Sequence, residues 1–149
     1  MSKKKSQAAD EGVYKKGEVM KFPSLDFARA LEIQLNESKH FAEASAWSDV
    51  KVLLSFGEQQ YWMKLYRGKV IDLMEYYPMS NPLGWDYVIG GSIDNWNDLL
   101  KGLRPIGHML DTGSIKVDGN LLQANRMYES THVILNIMRS MKVYEKRGD

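Results

Sequence analysis

The chain has no cysteine among its 149 residues, which removes disulfides, thiolate metal sites, iron–sulfur clusters and cysteine nucleophiles. Chemistry is left to three histidines, His40, His108 and His132, and to the carboxylates. The histidines form no His-x-x-x-His or His-Glu-x-x-His pair, so a transition-metal site would need convergence from distant parts of the chain. No Gly-x-Ser-x-Gly elbow marks a hydrolase nucleophile, and the scattered Ser, His and Asp residues make no triad in sequence. Asp94 and Asp98, four apart, share one helix face, where near an N-terminus their ordinary role is to complement the dipole. Gly90-Gly91 lacks a third glycine at nucleotide-loop spacing. Tyr61, Trp62, Tyr66 and Tyr87 interleave with Lys64, Arg67 and Lys69, the best nucleic-acid argument in the chain. Against it, Asp72, Glu75 and Asp86 follow closely and no aromatic RNA-reading motif is spelled out. The same aromatics equally suit a dimer contact. The residues nominate no catalytic set, no cofactor, no metal and no nucleic-acid partner.

The elements that position these residues are read from periodicity and punctuation. Ser24 caps a helix over about 24–37, with Asp26 in its first turn and Leu25, Ala28, Leu31 and Leu35 at helical spacing. A second helical stretch over about 38–47 carries Phe41, Ala44 and Trp47 on one side. From Val50 the period becomes two, and strands are expected over 50–56, 60–66 and 70–77, joined by Gly57-Glu58 and Arg67-Gly68-Lys69 as an antiparallel meander. A Pro/Asn/Gly loop precedes a fourth strand over 85–91. Ser92 or Asp94 caps a short helix closed by Gly102, Pro105 starts a further helical turn that Gly113 ends, and residues 114–118 alternate as an edge strand. Asn120 then caps one long helix over 121–142, whose stripe runs through Ala124, Met127, Tyr128, Thr131, Ile134, Leu135, Met138 and Met141.

Length and composition bound what these elements can build. A chain of 17.1 kDa with 44% hydrophobic and 26% charged residues makes one ordinary globular domain. The net charge of +1 gives no global field to gather nucleic acid or an anionic membrane. It divides unevenly: six lysines against Asp10, Glu11 and Glu18 leave residues 1–21 at +3 and the remainder at −2. Residues 1–21 read as a flexible basic tail, 22–142 as one α+β domain with helices packed on an antiparallel-rich sheet, and 143–149 as a C-terminal tail. No secretory signal pattern and no apolar run of spanning length is found, so a cytoplasmic location is expected. Nine Met, four Trp, eight Tyr and four Phe supply soft apolar surface that builds either a dense core or an adaptable cavity.

Several of these pieces coincide with one known pattern. Trp96-Asn97-Asp98-Leu99-Leu100-Lys101-Gly102, then Pro105, then Gly113-Ser114-Ile115-Lys116-Val117-Asp118-Gly119-Asn120, then Ala124 and Met127, resemble the sterol-carrier-protein type of lipid-transfer domain. Asn120 stands where many members have Asp, a change that keeps the capping ability. The resemblance implies a five-stranded, largely antiparallel sheet covered by about five helices, with an apolar tunnel between the two layers. It implies a non-catalytic protein that holds a long-chain acyl, sterol-like or other hydrophobic ligand, with at most transient membrane contact. The residues it would place along the tunnel are Trp96, Leu99, Ile106, Met109 and Leu110, together with Ala124, Met127, Ile134 and Met138. His108 would lie near the tunnel mouth, within reach of a ligand head group. The second reading is an interaction or dimerisation module of the same fold with a closed tunnel, accessory to an enzyme. A filled interior around Met127 and Met138 would distinguish it from a carrier.

Overall fold

The computed structural model describes Lys15, residues 17–79 and residues 84–144. Most of the expected basic tail and the end of the C-terminal tail lie outside the described residues. A two-residue strand β1 (Val19–Met20) comes first. It is followed by α1 (Leu25–Glu37), in which the Ser24 hydroxyl accepts the Phe27 N–H at 3.0 Å. Ser38 ends this helix and starts the next: its N–H donates to Leu35 O, while its hydroxyl accepts the Phe41 N–H to cap α2 (Lys39–Ala44). The helical periodicity over 24–47 is therefore split in two at one serine. Trp47, expected on the apolar side, lies beyond α2 and is 44% exposed, with the Arg126 guanidinium 4.4 Å from its ring centre.

The meander follows as β2 (Asp49–Phe56), β3 (Gln59–Tyr66) and β4 (Lys69–Glu75), antiparallel throughout. Tyr76 and Tyr77 fall outside β4, although the Tyr76 N–H still reaches Gln60 O at 2.9 Å. The chain then returns to the opposite side of β2, where β5 (Tyr87–Gly91) runs parallel to it. Next come α3 (Ile93–Leu100), capped by the Ser92 hydroxyl, α4 (Ile106–Asp111), and the edge strand β6 (Lys116–Gly119), antiparallel to β5. The sheet order is β4-β3-β2-β5-β6, one parallel pair in a mainly antiparallel α+β fold.

The single helix expected over 121–142 is two helices. The first, α5 (Leu121–Arg126), and the second, α6 (Tyr128–Ser140), meet at Met127, where φ is −95° and ψ is 15°. The apolar stripe is continuous in sequence but serves two partners in space: α5 packs on β5 and β6, whereas α6 lies across α1, α2, α3 and α4. Bending at the buried Met127 allows both contacts. One consequence is that Tyr128, expected on the stripe, is 60% exposed. The chain closes with β7 (Lys142–Val143), parallel to β1. Met20 of β1 and Met141, just before β7, join the core.

Alternation decides which sheet face is covered. Val50, Val52, Leu54 and Phe56 of β2, with Tyr61, Met63 and Leu65 of β3 and Tyr87 and Ile89 of β5, point toward the helices. Each such side chain contributes about 1.5–3 kcal/mol on burial. On the other face Leu53 and Trp62 are buried apart from this core, and the Trp62 indole N–H donates to Gly84 O at 2.7 Å. Gly119, in the junction between β6 and α5, has φ of +107°, and a Cβ there would sit 2.9 Å from Asp86 O and 3.0 Å from Tyr87 Cα. Gly119→Ala is therefore expected to cost about 2 kcal/mol and lower the Tm by roughly 5 °C in a thermal melt. An unchanged Tm would contradict the close approach.

Candidate functional site

Four elements enclose a cleft of about 240 Å³ between β6, α4, α5 and the start of α6. Its walls are Leu110 of α4, Val117 of β6, Leu121 and Ala124 of α5, and Tyr128 and Thr131 of α6. Asp111, Lys116 and Asn125 supply polar groups, all on exposed residues. Local sequence explains the shape. Gly113 and Gly119 bracket a short strand, Asn120 caps α5 by accepting the Gln123 N–H at 3.2 Å, and the bend at Met127 tilts α6 away from α5. At the rim Leu121 is 63% exposed and Tyr128 60%, with the Tyr128 ring edge-on to His132 at 4.7 Å. Lys116 pairs loosely with Asp118 at 3.9 Å.

The deepest polar group is Thr131, whose hydroxyl lies 3.1 Å from the Tyr87 hydroxyl. Both residues are buried. Burial pushes the Tyr87 phenol up to about 12 from the ordinary 10.0, only partly opposed by the Thr131 hydrogen bond. In the unfolded chain Tyr87 ionises near 10, so the folded state retains a proton that the unfolded state loses. The stability this contributes is complete below pH 10 and is lost as pH rises toward 12, on the order of 2–3 kcal/mol. Tyr87→Phe is expected to flatten the fall of Tm between those pH values in alkaline melts, and an unaltered slope would remove Tyr87 as its source.

Of the nine residues expected along a tunnel, Leu110 and Ala124 border this cleft. The other seven are packed in the core: Trp96, Leu99, Met109, Met127, Ile134 and Met138 are fully buried and Ile106 is 7% exposed. Trp96 meets the Phe56 ring edge-on at 4.9 Å and donates its indole N–H to Ser55 O at 2.8 Å. These side chains fill the interface between sheet and helices, and the open space begins at its edge, where α5 replaces α6 as the cover. Val117, Leu121, Tyr128 and Thr131 are wall residues that sequence reasoning missed. Val117 belongs to the alternation through 114–118 and Thr131 to the apolar stripe, but nothing in residue type separates wall from core.

The residues singled out for chemistry are dispersed. His108 is exposed on α4, His40 reaches Glu129 at 3.3 Å on the surface, and His132 is half-buried with no hydrogen-bond partner for Nε2 among the described residues. Asp94 is exposed in the first turn of α3, and Asp98 lies 3.9 Å from Arg104. Tyr61 and Tyr87 face the core, Trp62 is covered, and Tyr66 stacks against Arg67 at 5.4 Å, so the strand aromatics form no shared exposed platform. No group of three or more His, Asp or Glu among the described residues is arranged to hold a metal ion. No described helix is long and apolar enough to cross a membrane.

The fold has counterparts among solved structures. A sterol carrier protein 2 crystal structure superposes with a TM-score of 0.64 at 16% identity, covering 77% of this chain and 95% of that one. This chain has the sterol-carrier-protein fold. A conserved hypothetical protein from Thermus thermophilus, with a suggested sterol-carrier identity, gives 0.66 at 15% identity, covering 89% of this chain and 99% of that one. The ubiquinone synthesis protein UbiJ, a sterol-carrier-type structure, gives 0.51 at 12% identity over 76% and 96%. No protein-family model matches the chain, and no curated protein matches it in sequence. In this chain the cleft lies beside the turn from α5 to α6.

Proposed function

We propose that the protein binds a hydrophobic small molecule without transforming it, as a lipid-binding domain of sterol-carrier type. The interior around Met127 and Met138 is filled, so the expected tunnel does not carry this reading. The observation that does is the cleft of about 240 Å³ at its edge, with mainly apolar walls and charged groups on exposed residues. Such a site takes up the apolar part of a ligand and leaves its head group near Lys116 and Asn125. Burial at roughly 25 cal/mol per Å² supplies the affinity, and few polar contacts make the selectivity broad. The volume lies below the roughly 300–1,000 Å³ usual for pockets that enclose drug-sized ligands. A medium-length chain, or one end of a longer acyl or sterol-like molecule, matches that space.

Solvent extraction of the purified protein followed by mass spectrometry, with displacement of a fluorescent fatty acyl probe, tests the reading. Co-purified lipid and saturable displacement at micromolar concentration are the expected results. Absence of both would refute it.

A further inference from the structure

The Tyr87–Thr131 pair contains more hydrogen-bond donors than it uses. Two hydroxyls carry two O–H hydrogens, and among the described residues the only hydrogen bond either side chain makes is the one between them. One hydrogen is left without an acceptor in a buried place, which is unfavourable while it stays unpaired. A threonine within a helix often donates to the carbonyl four residues back. Here Met127 O takes the Thr131 backbone N–H at 2.8 Å, and the hydroxyl of Thr131 is directed to Tyr87 instead. Either hydroxyl can donate in this contact; a neutral phenol is the stronger donor and an alcohol oxygen the stronger acceptor, and with Tyr87 donating the free hydrogen belongs to Thr131. Thr131 is the member of the pair that lines the cleft.

We infer that Thr131 is a specificity-determining residue: it donates a hydrogen bond to an uncharged oxygen, of a ketone, quinone, ester or alcohol, at the end of the ligand that enters the cleft first. This rests on the proposed lipid-binding reading and narrows it. The charged wall residues, Asp111 and Lys116, are exposed, and Lys116 already has Asp118 beside it. A carboxylate brought to the depth of Thr131 would exchange its hydration for a single neutral donor, which is unfavourable. Free fatty acids therefore bind with the carboxylate outward, whereas neutral oxygenated lipids bind with the oxygen inward.

The test compares decane, methyl octyl ketone and decanoate as competitors of an apolar fluorescent reporter on the wild type, Thr131→Val, Thr131→Ser and the double variant Thr131→Val with Tyr87→Phe. The wild type and Thr131→Ser are expected to prefer the ketone over the alkane by about tenfold, and the two variants lacking the Thr131 hydroxyl by less than about twofold. Infrared spectroscopy of the bound ketone on the wild type needs no variant and is expected to show its carbonyl stretch lowered by hydrogen bonding. Equal binding of ketone and alkane by the wild type, a preference that survives Thr131→Val, or an unshifted carbonyl overturns the assignment. If none of the three competitors displaces the reporter, the lipid-binding reading itself has failed.

Discussion

Ala124→Phe is expected to weaken binding of apolar ligands at least tenfold while leaving the fold intact. Ala124 stands on the buried side of α5 and borders the cleft, so a benzyl group there takes space that the ligand would otherwise fill. In a packed core the same addition forces neighbours off their rotamers and costs typically about 1–3 kcal/mol. Beside an open cleft it has somewhere to go. Reporter displacement together with a thermal melt separates the two cases: lost binding with a Tm within a few degrees of wild type is the expected pair. Retained binding would move the ligand away from α5, and a large drop in Tm would make Ala124 part of the core.

Trp96→Ala is the opposite experiment, expected to cost about 3–5 kcal/mol, a large share of the roughly 5–15 kcal/mol that holds a domain of this kind together. Trp96 is fully buried, touches Phe56 edge-on, and satisfies Ser55 O through its indole N–H. Removing it leaves a large cavity and forfeits the hydrogen bond to Ser55 O. The Tm is expected to fall by roughly 10 °C or more. Had Trp96 lined a hollow tunnel, truncation would instead cost less than about 1 kcal/mol and admit larger ligands. Calorimetry with a size series of acyl probes distinguishes these outcomes.

Both predictions turn on a distinction that was only partly legible in the sequence. Ser24, Ser92 or Asp94, and Asn120 announced helix starts because a short polar side chain beside free backbone N–H groups has a local reason to be there. Ser24, Ser92 and Asn120 act as caps, and so does Ser38, which the sequence marked only as the start of a second helical stretch. The alternation from Val50 to Phe56 and from Tyr61 to Leu65 fixed the covered face of the sheet, since a one-residue slip would expose every inward side chain. The break at Met127 was not legible. Apolar spacing through 121–142 is compatible with one straight helix, and only the separate partners of α5 and α6 demand the bend. The cleft escaped for a related reason. Met127 and Ala124 are both buried apolar residues of one stripe, yet Ala124 borders open space and Met127 fills the core. That difference depends on where neighbouring elements stop.

The pairing of Val19 with Lys142 and of Met20 with Val143 carries a consequence for the order in which the domain opens. Closing a loop that holds nearly the whole domain costs more chain entropy than any other contact in the fold, and two residue pairs with the Tyr144 N–H on Met20 O repay little of it. Amide hydrogen exchange should therefore find the Tyr144 N–H released well before the amides of β2 and β3. Each release lifts Met20 from the core and wets the helix end that β7 follows. Fraying thus begins at the meeting of the two ends of the domain, far along the chain from the meander that holds longest.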